Sequence, residues 1–294
     1  MQKIVPHLWF DQNIREAAEF YTSAFPNSQA STGVAHPETG DPITAELEID
    51  GYKIALINGG PDAKPTPAMS FFVNYDPSKM ENPREELQLL WDKLTQDGTV
   101  LMDLGEYAFS EFYGWVADRY GYNWQLMLTN PEGDPRPFIV PNLMFCGPAQ
   151  GKAAEATDDY IAIFDDAQLG NRVTYGAMGA AGTDSPDTIP QQHHVVFSDF
   201  QLMDQWFSAM DSGVEQPFTF SMATSFMIIV KDQEELDRYW DALSAVPEKE
   251  VCGWLEDKYG VSWQIAPENL EELLARPQGF ENMMKMKKLI IDDF

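Results

Sequence analysis

GWVADRYGYNWQ (residues 114–125) and GWLEDKYGVSWQ (residues 253–264) are identical at seven of twelve positions, and both tryptophan pairs are among them. A match this dense in Trp, Tyr and Gly marks an internal duplication, which is sought before any single element is assigned. Working outward, IVPHLWF (4–10) pairs with IVPNLMF (139–145), AMSFF (68–72) with ATSFM (223–227), and EELQLLWDKL (85–94) with EELDRYWDAL (234–243). The order is the same in both halves, so the chain reads as two copies of one domain, expected at 1–132 and 133–294. Their join is expected in NPEGDPRP (130–137), whose Pro, Gly and charges suit a linker.

The offset between the copies drifts from 135 at Pro6/Pro141 to 153 at Asn58/Asp211, 149 at Trp91/Trp240 and 139 at Gly114/Gly253. The second copy therefore carries extra residues early, near 176–182, and the first carries extra residues later, near 97–112. Surface loops absorb such changes at small cost, so both insertions are expected there.

Within the first copy, residues 4–10 read as a strand. Ile14, Ala17, Ala18, Tyr21 and Phe25 fall at helical spacing behind Asn13 and Glu16, a capping-box pattern. Two strands then flank Asp50-Gly51, a hairpin signal. Residues 70–75 are a further strand, Asn82-Pro83 opens a second helix with Leu87, Leu90, Trp91 and Leu94 on one face, and residues 113–116 and 123–128 make a last hairpin. Each copy of roughly 130 residues is thus expected to hold two βαβββ modules, an α+β fold with helices outside a curved mixed sheet and a cleft inside it.

The chain has 294 residues, 47 acidic against 19 basic, for a formal charge of −28. Phosphate binding needs clustered Lys and Arg, so nucleic acid is excluded as a partner, and anionic membrane surfaces with it. Eight Trp and eighteen Phe are enough to bury a core, which excludes a disordered acidic chain. Cys146 and Cys252 have no CxxC spacing, so neither a disulfide framework nor a zinc site is expected. With no secretory pattern and no apolar run of membrane-spanning length, a soluble cytoplasmic protein is expected.

LWFDQNIREAAEFYTSAF (8–25), NGGP (58–61), SFFVN (70–74), WFSAMDSG (206–213) and CGWLEDKYGVSWQI (252–265) resemble PhnB-like proteins of the glyoxalase/bleomycin-resistance group, the vicinal oxygen chelate superfamily. The tail MMKMKK (283–288) is similar to that family's usual C-terminus. The resemblance implies two tandem glyoxalase-like domains of paired βαβββ modules closing around clefts. Some members carry a label as demethylubiquinone methyltransferases, but no glycine-rich nucleotide fingerprint is read here after a strand.

The resemblance further implies a divalent metal held by His, Gln and Glu from the first and last strands of each module. Carried over by position, the first copy offers at best His7, Asn58, Ser70 and Gln125, and the second Asn142, Asp211, Ser225 and Gln264. Neutral amides and hydroxyls are weak ligands for such metals. The expectation is therefore a cleft that binds a small organic molecule with no metal and no other cofactor. The alternative is a metal-dependent lyase, isomerase or dioxygenase using His7 with Gln125 or a carboxylate such as Glu48. Strand alternation is expected to put Trp124 under the helices and Gln125 in the cleft.

His193 and His194, if on a strand, point to opposite faces and share no metal. Asp118 and Asp257 are expected to brace the turn before the last strand of each copy. Trp91, Trp124, Trp240 and Trp263 read as core anchors. Divergence at His7/Asn142 and Asn58/Asp211 predicts two clefts that are not equivalent. The two copies are expected to act as an intrachain pseudo-dimer.

Overall fold

The computed structural model describes residues 2–36, 39–179 and 189–294. The first module runs β1 (Ile4–Phe10), α1 (Ile14–Ala24), β2 (Ser28–Thr32), β3 (Thr44–Ile49) and β4 (Tyr52–Asn58). The second runs β5 (Met69–Tyr75), α2 (Pro83–Leu94), β6 (Thr99–Tyr107), β7 (Ser110–Ala117) and β8 (Asn123–Leu128). The third runs β9 (Ile139–Phe145), α3 (Ala153–Ile163), β10 (Gln168–Thr174), β11 (Val195–Leu202) and β12 (Gln205–Asp211). The fourth runs β13 (Thr224–Val230), α4 (Gln233–Leu243), β14 (Trp254–Glu256) and β15 (Ser262–Pro267), followed by α5 (Leu270–Leu274) and α6 (Gly279–Met283).

Local chemistry sets these limits. Asp50 and Gly51 both hold positive φ (49° and 80°) in the turn joining β3 to β4, the backbone a two-residue hairpin of this hand requires. Pro83 begins α2, where its missing N–H leaves no helical bond unmade. Asp232 caps α4 by accepting from the Glu235 amide at 2.9 Å. The buried faces are Leu87, Leu90, Trp91 and Leu94 on α2 and Leu236, Tyr239, Trp240 and Leu243 on α4.

The strands form two mixed sheets. One has seven strands in the order β14-β15-β13-β1-β4-β3-β2, the other eight in the order β10-β11-β12-β9-β5-β8-β7-β6. The modules pair as βαβββ units must, but the partners come from different copies. β1 lies antiparallel to β13 with His7 opposite Ser225, and β5 antiparallel to β9 with Ser70 opposite Asn142. Each sheet thus unites the first half of one copy with the second half of the other.

The compact bodies divide the chain differently from the two sequence copies, 1–132 and 133–294. Unit 1 is Met1–Glu19, Ser28–Lys64 and Phe220–Phe294, and unit 2 is Phe20–Asn27 and Pro65–Thr219. The segment 130–137 lies inside unit 2 rather than at a boundary. Its end is fastened to β5, where the Asn74 amide donates to Phe138 O and Asn74 Nδ2 to Pro137 O, both at 2.8 Å.

The insertion expected as a loop near 97–112 is instead the edge strand β6 and the start of β7, paired through Thr99–Ala117 and Gly105–Tyr113. The fourth module has no counterpart of β6. There the amides of Cys252 and Gly253 donate to Met286 O and Lys287 O of the C-terminal tail at 2.8 and 2.7 Å. Backbone groups at a sheet edge need partners, and the tail supplies them. Of the other insertion, Gly176 and Gly179 follow β10 in a turn, and Gly182 lies outside the described residues. Among the described residues no helix is long and apolar enough to cross a membrane.

Candidate functional site

Alternation along the strands gives each sheet two faces, one of them packed under α2, α3 or α4. In unit 1, Leu8, Phe226 and Trp263 are fully buried on the helical side. The opposite face brings together His7, Ser225 and Gln264 from the adjacent strands β1, β13 and β15. Gln264 Nε2 donates to Ser225 Oγ and to His7 Nδ1, each at 2.9 Å. Both amide hydrogens of Gln264 are thereby engaged, so Nδ1 accepts and the imidazole proton sits on Nε2. Nε2 is buried and has no hydrogen-bond partner among the described residues. Burial lowers the His7 pKa to about 3, so the ring is neutral at physiological pH.

Register places Glu46, Glu48, Lys53 and Glu256 on this same face. Glu46, not Glu48, is in line with His7 through Ala55, and it is paired to Lys53 at 2.9 Å. Trp9 and Trp254 meet edge to face at 5.8 Å on that face.

In unit 2 the corresponding cluster is Ser70, Gln125 and Asn142. Ser70 Oγ accepts from Gln125 Nε2 at 2.8 Å and from Asn142 Nδ2 at 3.2 Å. Two residues missed in the sequence complete it. Tyr113 donates to Gln125 Oε1 at 2.6 Å, and Ser208 Oγ donates to Asn142 Oδ1 at 3.0 Å. No atom of this cluster is buried without a partner. Phe72, Tyr113 and Val140 frame it, with half-buried Met102, Trp115, Met127, Phe197, Trp206 and Met210 packed against them. The Arg136 guanidinium lies 4.0 Å above the Trp206 ring and pairs with buried Asp199 at 2.7 Å. Trp124 is on the other face, against Tyr21, Phe25 and Phe71.

The candidate residues therefore assemble across the copies, His7 with Ser225 and Gln264, and Asn142 with Ser70 and Gln125. Asn58 and Asp211 join neither cluster. Asn58 Oδ1 accepts from the Ile14 amide at 3.3 Å and its Nδ2 donates to Pro42 O at 2.9 Å. Asp211 accepts from the Ala153 amide at 3.1 Å and the Val195 amide at 2.8 Å. Both satisfy first-turn amides of a helix, α1 and α3 respectively, which is a structural task.

Asp211 also settles a feature the sequence reading passed over. GPAQGK (147–152) is a glycine-bearing loop that does join a strand to a helix. The Asp211 carboxylate occupies its amides at Gly151 and Ala153, where a phosphate would bind. His193 and His194 lie in the turn before β11, not on a strand, and their rings touch edge to face at 4.8 Å.

Asp118 and Asp257 brace their turns from within. Asp118 accepts from the Tyr120 and Tyr122 amides at 2.8 and 3.1 Å, Trp124 Nε1 at 2.8 Å and Tyr21 OH at 2.7 Å. Asp257 accepts from the Tyr259 and Val261 amides at 2.8 and 3.0 Å and Trp263 Nε1 at 2.8 Å. This shared network explains why Asp, Tyr-Gly and Trp recur at fixed spacing in both copies.

The donor sets do not fit the divalent metal that the resemblance implies. One cluster offers a single imidazole, an amide and a hydroxyl that already bond one another, and the other offers only amides and hydroxyls. Among the described residues no group of three or more His, Cys, Asp or Glu side chains is placed to hold a metal ion.

A family model described as 3-demethylubiquinone-9 3-methyltransferase matches residues 2–127 and 137–266. Among solved structures, the PhnB protein from Bacillus cereus is 36% identical over 44% of this chain and 100% of its own, with a TM-score of 0.39. Protein PA1353 from Pseudomonas aeruginosa is 22% identical over 44% of this chain and 98% of its own, with a TM-score of 0.37. Glyoxalase I from Zea mays is 13% identical over 92% of this chain and 96% of its own, with a TM-score of 0.55, a likeness of fold alone. No curated protein matches the chain.

Proposed function

Because the chain belongs to the PhnB-like family whose model is described as 3-demethylubiquinone-9 3-methyltransferase, within the glyoxalase-like vicinal oxygen chelate superfamily, we propose that the face of each sheet that carries the polar cluster binds a small organic molecule without a bound metal. One observation carries this reading. In unit 2 a fully bonded polar cluster is set among half-buried aromatic and Met side chains on the sheet face opposite Trp124. Apolar walls with few polar groups at fixed positions are the general makeup of small-molecule sites. Thioether side chains such as Met102, Met127 and Met210 adapt their shape to a ligand.

The two faces take different ligands. Unit 2 offers aromatic area and a satisfied floor, whereas unit 1 offers an orphaned imidazole N–H and several carboxylates. The two copies act as an intrachain pseudo-dimer, a reading supported by the strands each sheet draws from both. Methyl transfer, named in the family description, finds no support in the glycine-bearing loop at 147–152, whose amides Asp211 already holds.

The test is a fragment screen on 13C-methyl-Met protein, followed by metal analysis after chelation and reloading. Binding fragments should shift Met102, Met127 and Met210 for unit 2 or Met227 for unit 1, with no tight stoichiometric metal retained. Fragments that bind yet move none of these methyls, or metal retained at one per unit, would overturn the reading.

A further inference from the structure

We infer that His7 serves unit 1 as a hydrogen-bond donor, its Nε2–H reaching a carbonyl oxygen of a ligand that carries no net negative charge, and not as a metal ligand. The inference rests on the proposed small-molecule role and adds the chemical class that unit 1 accepts.

Three observations carry it. Gln264 directs one amide hydrogen at Ser225 Oγ and the other at His7 Nδ1, each at 2.9 Å, which leaves the imidazole hydrogen on Nε2. That Nε2 is buried with no partner among the described residues, a costly state for a donor that an incoming acceptor relieves. A metal needs a nitrogen lone pair, and in this tautomer Nδ1 already uses its own on Gln264.

The charge on the face selects the acceptor. Glu46, Glu48 and Glu256 share it with Lys53, and Lys53 is held by Glu46. Carboxylates on the same face disfavour an anionic ligand, so a ketone or amide oxygen fits better than a carboxylate. Nε2 is enclosed, so a ligand oxygen reaches it only as a neighbouring side chain moves aside. Met227 is half-buried on the same face, in register with Val5, and its unbranched thioether swings at low cost.

The second copy supports the assignment by contrast. Asn142 stands at the His7 position, and its Oδ1 and Nδ2 are bonded to Ser208 and Ser70. Ala55, opposite His7, corresponds to Ser208, opposite Asn142, so unit 1 lacks the hydroxyl that completes the unit 2 network.

The experiment uses the full chain labelled with 15N-histidine. Long-range proton–nitrogen spectra assign the tautomer of each ring. His7 is identified by loss of its signals in His7→Asn or, should that variant not fold, by elimination using His36→Gln, His193→Gln and His194→Gln. The expected result is an Nε2–H tautomer for His7 that does not change with excess Zn²⁺ or Ni²⁺. The probes are acetophenone and ethylbenzene, similar in shape but with and without a carbonyl oxygen. Acetophenone should shift the His7 Nε2 signal and bind about tenfold more tightly than ethylbenzene, the value of one hydrogen bond of about 1.4 kcal/mol. An Nδ1–H tautomer, a metal-induced shift of the ring, or equal affinity of the two probes overturns the role of His7. If both probes bind with equal affinity, the small-molecule reading survives and only the inference fails. If neither shifts the His7 signals, nor the Met102, Met127, Met210 or Met227 methyls of a 13C-methyl-Met sample, both fall.

Discussion

Acid should destabilise unit 1 through His7 in a way that one substitution removes. The ring is held neutral by burial with a pKa of about 3, against 6.5 for an exposed histidine. Between those values the unfolded chain binds a proton that the folded chain does not. Stability therefore rises with pH through this window and falls as the solution is acidified. The linkage relation gives a loss from this group of about 2 kcal/mol on going from pH 7 to pH 5, and about 3 kcal/mol by pH 4. Carboxylates also titrate there, so the wild-type curve alone does not isolate the effect. His7→Asn does, because asparagine, the residue the second copy carries at position 142, keeps a polar group without a titration. Urea unfolding at pH 7 and pH 5 should show wild type losing about 2 kcal/mol more than His7→Asn between the two. For a body of this size that corresponds to roughly 4–8 °C in Tm. Equal losses, within about 0.5 kcal/mol, would refute the reasoning, since a ring that titrates normally in the fold contributes no such difference.

Asp118→Asn replaces one acceptor oxygen by an amide that faces the donors Trp124 Nε1 and Tyr21 OH, so it should cost about 2–4 kcal/mol by chemical denaturation, and a change under about 0.5 kcal/mol would count against the bracing role. Gly114→Ala should destabilise by about 1–3 kcal/mol, because a Cβ there would lie 2.5 Å from the Trp91 ring, and unchanged thermal unfolding would show that Trp91 has room to move. Truncation before Met286 removes the carbonyls that hold the Cys252 and Gly253 amides, together with the buried Leu289 side chain, so hydrogen exchange should speed up at those two amides while β7 in unit 2 stays protected. Asp211→Ala should leave the first-turn amide of α3 without its acceptor and lower stability by about 1–2 kcal/mol, and unaltered exchange at Ala153 would contradict the capping assignment.

The candidate site was legible in part. His7, Ser225 and Gln264, and Gln125, Ser70 and Asn142 likewise, were found because the family resemblance points to particular strands of each module and the repeat maps them by position. Asn58 and Asp211, the last residues of β4 and β12, entered the same sets by the same carry-over. Only the start of the next helix shows that their oxygens hold the Ile14 and Ala153 amides. Tyr113 and Ser208 were missed because neither is polar or rare enough to stand out. Their signal was available only once register put them beside Gln125 and Asn142. Tyr113 aligns with Cys252, and this mismatch joins that of His7 with Asn142 in marking two floors that are wired differently.

By itself the sequence determined the duplication, the helices and the central strands of each module, and the buried faces of the helices, but not the edge strands β2 and β6. These depend on periodicity, turn chemistry and the Asp–Tyr-Gly–Trp network, all of which act over a few residues. Tertiary structure alone decided which modules share a sheet. Pairing within a copy and pairing across copies would bury equivalent strand faces and satisfy equivalent backbone groups, so the repeat pattern is the same for both. Cross-copy pairing of β1 with β13 and of β5 with β9 is what brings His7 to Gln264 and Asn142 to Gln125. The residues of each candidate site were thus written in the chain, and their grouping belonged to the fold.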